Sequence, residues 1–476
     1  MTEKQSLADL SLVEAADAIG SGQLSPVELT EACLERIRLT EPTLCSFISV
    51  FESEARESAA EAYAEIRAGR RRGPLHGIPV AVKDNIALRG FPTTAGSKIL
   101  KDWVPQKDAT VVERLRQAGA VFVGKTNMHE FAWGGTSANP HYGTVRNPWN
   151  PERFAAGSSG GSGTAVAAGC CLMALGTDTG GSIRLPSSVS GVCGIRPTIG
   201  RVSNAGVVPL AWSMDTVGPM ARSAEDCALA LNVIGGPDGV DPGVAPVRMD
   251  DMTASLADGV GGMRIGIVPH FFSHLQPDVD RAVRQALTTL QGLGAELRDV
   301  EIAHIEGNIS AQLTIESCEP SAYHQEWLRT RPEDYGDDVR ALLELGELQL
   351  ATNYLQAQRY RSLLRSEFLR AFNDVDVFIC PTLPFTATPV GATTVVIEDG
   401  LAEDMLSAIM QHTGVPSLVG LPSLSIPSGF SDGLPIGMQI IGKPFCEATV
   451  FCAGHAFQSA TEFHRQRPTL DWVGRQ

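Results

Sequence analysis

The sequence predicts an α/β fold: a single large domain in which helices cover both faces of a central mixed sheet that contains parallel strands. Residues 78–82 are apolar and strand-like, residues 109–118 have helical periodicity, and residues 120–123 are again strand-like. The same alternation returns at residues 264–302. Alternating strands and helices are typical of α/β domains, and 43% hydrophobic residues in a chain of 476 supply the core.

The first 65 residues are predicted to form a helical segment that packs on this core. Ser25, Pro26 and Glu28 mark a helix start, because serine caps free N–H groups, proline fits the first turn and glutamate completes a capping box. We expect this helix to end near Thr40.

The remaining residues, 66–476, are expected to form the main domain, with a catalytic core at about 70–230 and a C-terminal half that completes the sheet. In that half the sequence predicts, in chain order, a strand at 264–268, a helix at 277–293, a strand at 296–302, a helix at 353–372, a strand at 375–379 and a hairpin of 424–426 with 438–441. The Gly, Asp and Pro residues of 235–246 fit either a linker between domains or a loop within one.

Composition and charge exclude several classes of partner. A formal net charge of -16 disfavours binding to nucleic-acid phosphates and to anionic lipid headgroups. The amino terminus lacks a basic segment followed by an apolar block, and the most apolar run, residues 163–176, is shorter than the roughly 20 residues that cross a bilayer. The 10 cysteines include no Cys-x-x-Cys pair, so we expect no metal site, no disulfide framework and a cytoplasmic location.

Residues Gly119–Thr126 match the phosphate-binding string G-x-x-x-x-G-K-[ST], which would indicate a nucleotide ligand. A phosphate cradle needs its four variable residues in a turn that points backbone amides inward. Here those residues are Ala-Val-Phe-Val, which favour a strand and follow a predicted helix. Nucleotide binding therefore stays only as a remote alternative.

Two clusters of glycine and serine are the candidate catalytic segments. The first, residues 156–163, reads Ala-Gly-Ser-Ser-Gly-Gly-Ser-Gly and leads into an apolar stretch. Flexible linkers are polar on both sides, so we expect this segment to stay close to the core. It also fits the nucleophile-elbow pattern G-x-S-x-G around Ser159, but no strand precedes it and no later histidine stands out as a base.

The second cluster, residues 176–186, follows a strand-like stretch and carries Ser182 between a predicted strand and a predicted helix. The backbone N–H groups of four residues here could converge on a developing oxyanion; they are Thr179, Gly180, Gly181 and Ser182. A serine nucleophile needs a base. Among the lysines only Lys83 lies in a strongly apolar sequence, where desolvation lowers the pKa of an amine.

These segments resemble the amidase signature family. The block of that family, Ser-Ser-Gly-Gly followed by Gly-Thr-Asp-x-Gly-Gly-Ser-Ile-Arg, lies here within residues 157–184. The resemblance covers roughly residues 70–460 and includes four further stretches: Gly77–Asn85, Asn147–Asn150, Gly194–Thr198 and Gly433–Gly442. One departure is Ala156, where the family commonly has glycine, and this difference bears on the shape of the loop.

The resemblance implies a catalytic triad: Ser182 as the nucleophile, Ser158 as a proton shuttle and Lys83 as the base. It also implies a cis peptide bond before Ser158, which Gly157 makes easier to accommodate. Three polar neighbours are expected to brace the two loops, the last two as an ion pair; they are Ser159, Asp178 and Arg184. The family needs no metal or organic cofactor, and three histidines lack metal-ligand spacing: His129, His141 and His412.

The function implied by the family is hydrolysis of a carboxylic amide, or of a related aryl amide or carbamate, through an acyl-serine intermediate. The partners are then a small amide and water, and a homodimer is allowed. The alternative is the glutaminase A subunit of glutamyl-tRNA(Gln) amidotransferase, in which an arginine and an aspartate hold the amino acid; Arg361 fits the first position, but Met410 stands at the second. Three segments are expected to line the pocket: 131–141, 303–350 and 385–410.

Overall fold

The computed structural model describes residues 6–398 and 400–474. Its α-helices are α1 (Leu12–Gly20), α2 (Pro26–Leu44), α3 (Glu52–Arg67), α4 (Thr110–Gln117), α5 (Gly160–Ala168), α6 (Arg184–Ser190), α7 (Ala224–Ile234), α8 (Pro277–Gly292), α9 (Asn308–Thr330), α10 (Asp337–Glu347), α11 (Ala351–Ala371), α12 (Met405–Val419) and α13 (Glu447–Ser459). Its strands are β1 (Phe47–Val50), β2 (Pro79–Lys83), β3 (Val121–Thr126), β4 (Ala138–Asn139), β5 (Gly143–Thr144), β6 (Met173–Asp178), β7 (Cys193–Arg196), β8 (Thr216–Ala221), β9 (Arg264–Ile267), β10 (Glu296–Asp299), β11 (Val377–Pro381), β12 (Thr394–Val396), β13 (Ala402–Asp404), β14 (Ser423–Ser431) and β15 (Leu434–Gly442).

Eleven of these strands form one mixed sheet in the order β1-β3-β2-β6-β8-β7-β14-β15-β11-β9-β10. Strands β3, β2 and β6 run parallel to one another, as do β11, β9 and β10, whereas the other neighbouring strands are antiparallel. Two short ribbons lie outside this sheet, β4 with β5 and β12 with β13. The predicted α/β fold with a central mixed sheet is confirmed.

Both faces of the sheet are buried at strand β2. Val80 and Val82 pack in a core that includes residues of α4 and α7, whereas Ala81 packs in a second core with residues of α2 and α5. Successive side chains of a strand point to opposite faces. Helices therefore cover both sides of β2. These two packed layers hold Lys83, the last residue of the strand, in place.

The amino-terminal segment differs from the prediction in two details. Helix α2 continues past Thr40 to Leu44, because Leu44 is buried in the core and the carboxylate of Glu41 accepts hydrogen bonds from the backbone that follows. Strand β1, which we did not predict, then pairs with β3 at the edge of the sheet. Its four residues were too few for a clear alternating pattern.

Residues 235–246 form a loop within the domain. Strand β7 precedes this segment and β14 follows it, yet the two strands are neighbours in one sheet. The guanidinium of Arg114 also donates hydrogen bonds to the carbonyl oxygens of Ile234, Gly235 and Gly236 at 2.8, 2.6 and 3.0 Å. Residues 235–246 are therefore not a linker between domains. One sheet contains strands from both sides of this segment, and Arg114 holds its start.

The phosphate-binding string does not form a phosphate loop. Its last residues belong to β3, so their amides pair within the sheet and cannot converge on a ligand. Lys125 of the string is fully buried, and its Nζ lies 3.0 Å from Oδ1 of Asp84. The expectation that only Lys83 has an apolar setting is therefore wrong, because Lys125 is buried with a carboxylate as its partner.

No helix among residues 6–398 and 400–474 combines the length and apolar character needed to cross a bilayer. The apolar run of residues 163–176 contains the end of α5 and the start of β6, and all of it is buried. Its hydrophobicity therefore serves the packing of the sheet.

Candidate active site

Lys83 is the last residue of β2, and its side chain is completely buried. Its Nζ lies 2.7 Å from Oγ of Ser158 and 2.8 Å from Oγ1 of Thr177, which belongs to the neighbouring strand β6. Parallel strands end at the same edge of a sheet, so the pairing of β2 with β6 brings these groups together. The lysine and the first predicted serine are thus in direct contact.

Burial lowers the pKa of Lys83 to about 7, because the ammonium form loses its hydration in the core. The carboxylates of Asp178 and Asp215 act in the opposite direction but offset only part of this effect. A lysine with this pKa is uncharged in a large fraction of molecules near neutral pH. It is then able to accept a proton.

Ser158 lies in the loop that leads into α5, and the peptide bond between Gly157 and Ser158 is cis. The carbonyl oxygen of Ser158 accepts a hydrogen bond from the backbone N–H of His129 at 3.1 Å. Ser158 is fully buried, so its hydroxyl faces the protein interior and the lysine.

Ser182 follows β6 and precedes α6, in the second glycine- and serine-rich loop. Its carbonyl oxygen accepts a hydrogen bond from the N–H of Ser159 at 3.1 Å, which ties the two loops together directly beside Ser158. Ser182 is 8% exposed and lines a narrow cleft. The structure thus ties the loop of Ser182 to the loop of Ser158 and leaves Ser182 accessible from the cleft.

The loop before Ser182 exposes backbone donors. Among the described residues, the N–H groups of Gly180, Gly181 and Ser182 donate no hydrogen bond to a protein acceptor, and the same holds for Thr179. Gly181 has a φ of 140°, and a Cβ there would lie 2.3 Å from Oγ1 of Thr413. Glycine is therefore required at this position, and two of the residues with a free amide, Gly180 and Ser182, line the cleft.

Asp178 and Arg184 form the buried ion pair expected from the sequence. Nη2 and Nε of Arg184 lie 2.9 and 3.1 Å from the carboxylate of Asp178, and Nη1 of Arg196 lies 3.2 Å from it. Burial opposes ionisation, but the two guanidinium groups outweigh it and hold the pKa of Asp178 well below its usual range. Asp178 also accepts the N–H of Ile183, so this cluster fixes the loop that carries Ser182.

Sequence reasoning missed Thr177, Asn85 and Arg196. Oγ1 of Thr177 accepts hydrogen bonds from both Lys83 and Nδ2 of Asn85, the latter at 3.2 Å. Ser159 holds the backbone of Thr177, because its hydroxyl donates to the Thr177 carbonyl oxygen at 3.1 Å. Thr177 and Asn85 lie within the sequence stretches that resemble the family. Their position next to the predicted residues was the signal that could have identified them.

Ser182 opens into two connected spaces. An inner cleft of about 30 Å³ is lined by Ser182 and by apolar or glycine residues with one carboxylic acid, Glu316; these neighbours include Trp133, Gly180, Leu185, Leu210, Ile409 and Met410. An outer chamber of about 350 Å³ shares Trp133 and Ile409 with the cleft. Each of the three segments expected to line the pocket contributes, through Trp133, Glu316 and Ile409.

Each of the three histidines pairs with a carboxylate or with a backbone oxygen. Nε2 of His129 lies 3.0 Å from Asp338, Nε2 of His141 lies 2.9 Å from Glu130, and Nε2 of His412 lies 2.9 Å from a backbone oxygen. Within the described part of the chain, no three His, Cys, Asp or Glu side chains form a cluster that would hold a metal ion.

Arg361 lies away from the cleft, whereas Met410 lines it. The guanidinium of Arg361 donates to the carbonyl oxygen and the hydroxyl of Ser213 at 2.7 and 3.1 Å. Met410 is one of the residues around Ser182. Of the two positions that bear on the glutaminase alternative, only Met410 therefore lines the cleft.

A model of the amidase family matches residues 28–451. The A subunit of glutamyl-tRNA(Gln) amidotransferase from Chloroflexus aurantiacus (strain J-10-fl) is 42% identical and covers 99% of this chain and 100% of its own. An amidase from Pseudomonas putida is 43% identical and covers 98% of this chain and 100% of its own. The solved structure of a bacterial aryl acylamidase of the amidase signature family has a TM-score of 0.87 at 29% identity, over 96% of this chain and 99% of that one.

The fold and these similarities define a class of enzymes that act on amide bonds. The chain belongs to the amidase signature family, since the family match, the relatives and the fold agree over nearly its whole length.

Proposed function

We propose that this protein is an amidohydrolase that cleaves a carboxylic amide, with aryl amides and carbamates within its chemical range. Ser182 is the nucleophile, Ser158 the shuttle and Lys83 the base. The observation that carries the proposal is the contact of 2.7 Å between Nζ of Lys83 and Oγ of Ser158, beside a serine that is accessible from a cleft. A neutral lysine is a competent base for a serine hydroxyl.

The reaction proceeds by a proton relay. Neutral Lys83 takes the hydroxyl proton of Ser158 as Ser158 takes that of Ser182, whose oxygen bonds to the amide carbonyl carbon. The free N–H groups before and at Ser182 stabilise the negative charge that develops on the carbonyl oxygen. The carbon–nitrogen bond then breaks as the relay returns the proton to the leaving nitrogen. Water attacks the acyl ester by the same relay, and release of the acid restores Ser182.

A second candidate function is the glutaminase activity of an amidotransferase A subunit. It is favoured by the 42% identity to the A subunit from Chloroflexus aurantiacus. Against it stand Met410 in the cleft and Arg361 on Ser213, since neither would hold the charged end of glutamine. We therefore place a stand-alone amidase first. The stand-alone amidase would be compatible with a homodimer, whereas the A subunit would work with a partner subunit.

A substrate screen tests the proposal. The purified protein is incubated with glutamine, short aliphatic amides, anilides and carbamates, and the released ammonia or amine is measured. Ser182→Ala should remove all turnover because it removes the nucleophile, whereas Ser366→Ala, at an exposed serine of α11, should keep the wild-type rate. Turnover that survives in Ser182→Ala would overturn the assignment. A strong preference for glutamine over every other amide would instead favour the A subunit.

We also propose a reducing, cytoplasmic location and an amino-terminal segment of residues 1–65, whose described part is helical except for β1, that packs on a catalytic domain of residues 66–476. All ten cysteines are free thiols, which supports the location. The segment shares its core with the sheet through α1 and α2, which supports its packing on the domain.

A further inference from the structure

The inner cleft contains one ionisable side chain besides the nucleophile. Glu316 lies on α9, is 2% exposed and lines the cleft together with Ser182. A Cβ on Gly180 would lie 2.9 Å from its Oε1. The carboxyl group is therefore next to the loop that presents the nucleophile, although the proposed proton relay does not use it.

The carboxyl of Glu316 has one protein partner and one free oxygen. Nε2 of Gln312 donates to Oε1 of Glu316 at 2.9 Å from one turn earlier on the same helix. No donor among the described residues reaches Oε2. Oε2 is not one of the fully buried atoms that lack a partner, so it is accessible from the cleft, where an N–H donor of a ligand would pair with it.

The ionisable groups that line the two spaces are carboxyl groups, apart from His129. Glu316 lines the inner cleft, and Asp338 and Asp404 line the outer chamber, where Asp338 pairs with His129. No lysine or arginine of the described chain lines either space. This distribution suits a cationic substrate and disfavours one with a free carboxylate.

The pKa of Glu316 is consistent with a cationic ligand in the cleft. Burial raises its pKa to about 8; the hydrogen bond from Gln312 and the charge of Arg196 oppose this, while Asp215 and Asp178 add to it. A cation placed beside such a carboxyl favours its ionised form. Glu316 is therefore a carboxyl that a cationic ligand in the cleft would ionise.

We propose that Glu316 binds the ammonium group of the substrate, and that the substrate is an α-amino amide with an apolar side chain. This inference rests on the proposed amidase function and narrows its substrate. With about 30 Å³, the inner cleft accommodates only a small group such as an ammonium beside the scissile carbonyl. The outer chamber, with 350 Å³ and walls such as Trp133 and Ile409, accommodates the side chain.

The test compares two ligands that differ only in the amine. Leucinamide carries the ammonium at neutral pH, and 4-methylpentanamide lacks it. Binding is measured by calorimetry on Ser182→Ala, which does not turn them over, and kcat/KM is measured on the wild type. We expect Ser182→Ala to bind leucinamide at least about tenfold more tightly, and the wild type to hydrolyse it with a similar advantage.

Glu316→Gln keeps the size of the side chain and removes its charge. In this variant the preference for leucinamide should fall at least about tenfold, while kcat/KM for 4-methylpentanamide should stay within about threefold. Glu319→Gln is the matched control, because Glu319 lies on the same buried helix but contacts Tyr354 and Ser213. It should keep the preference.

The outcomes separate this inference from the proposed function. Equal binding of the two amides, or a preference unchanged by Glu316→Gln, would overturn the role of Glu316, even when the wild type hydrolyses both amides. Absence of hydrolysis together with tight, Glu316-dependent binding of leucinamide would instead contradict the amidase function and leave the ammonium site intact.

Discussion

The hydroxyl of Thr177 accepts a hydrogen bond from Nζ of Lys83 at 2.8 Å, and the same Nζ lies 2.7 Å from Oγ of Ser158. Asn85 donates to the same oxygen at 3.2 Å, and the backbone of Thr177 is held by Ser159. Lys83 thus sits between an acceptor that is fixed by the sheet and the hydroxyl of Ser158. Thr177 is a positioning residue for the proposed base.

Thr177→Val tests this role. The variant keeps the shape of the side chain but removes the acceptor, so we expect kcat/KM for a hydrolysed amide to fall by about 10- to 100-fold. An acceptor stabilises the charged form of lysine, so its loss should also move the midpoint of the pH profile to lower pH. Thr177→Ser should keep both values close to the wild type. An unchanged midpoint in Thr177→Val would show that the hydroxyl does not act on Lys83.

The pH dependence of the reaction follows from the pKa of Lys83, which is about 7. Below this pH the amine is protonated and cannot accept a proton, so kcat/KM should rise about tenfold for each pH unit and level off above pH 7. Initial rates at low substrate concentration, measured between pH 5 and 9, give this curve on both sides of the pKa of Lys83. Lys98→Met, at an exposed lysine, should leave it unchanged. A flat profile over the whole range would contradict a neutral lysine base.

The same burial makes Lys83 a cost to stability. Its pKa is about 7 in the folded state against 10.5 for an unperturbed lysine, so the penalty is complete below pH 7 and disappears as the pH rises through 10.5. Lys83→Met should therefore be inactive but more stable at pH 7, with a gain that shrinks toward pH 10. Chemical denaturation at both pH values measures it. A gain that does not shrink between pH 7 and pH 10 would show that folding does not lower the pKa of Lys83.

The sequence was sufficient to predict the fold class from local patterns, whereas the principal residues of the candidate site followed from the resemblance to the amidase signature family. The apolar run before Lys83 predicted the strand, and the glycines around Ser182 predicted a loop that brings its backbone close to a ligand. Glu316 carried no such signal, since a single glutamate on an amphipathic helix is normally solvent-exposed. Its burial depends on how α9 packs against the loop of Gly180, which is a tertiary contact.

Lys125 shows the limit of local reasoning about charge. Its neighbours in β3 are as apolar as those of Lys83, yet its partner Asp84 comes from the residue after β2. Only the pairing of β2 with β3 brings the two together. Burial lowers the pKa of Lys125, but Asp84 opposes this effect, whereas the partners nearest to Lys83 are uncharged hydroxyl groups.

Asp178 is expected to be essential for the stability of the catalytic loops. Asp178→Asn removes the charge that neutralises Arg184 and Arg196 in the core, and breaking a buried pair in this way costs about 3–5 kcal/mol. Denaturant unfolding of the variant should show this loss. Ser187→Ala is a control in the same region, because the Ser187 hydroxyl donates to the backbone oxygen of Ile183, one turn earlier in the chain; it should lose about 1 kcal/mol or less. A wild-type stability for Asp178→Asn would show that the two guanidinium groups do not depend on it.

Gly181→Ala should separate the geometry of the oxyanion site from general backbone strain. The new Cβ would meet Oγ1 of Thr413 at 2.3 Å at a residue with a φ of 140°, so the loop must move and its free amides lose their alignment. We expect kcat to fall about 100-fold or more, with the triad side chains intact. Gly90→Ala is the control, because Gly90 also has a positive φ but nothing lies within 4 Å of its Cβ position; it should lose stability without losing kcat. Near-normal kcat in Gly181→Ala would show that these amides do not stabilise the transition state.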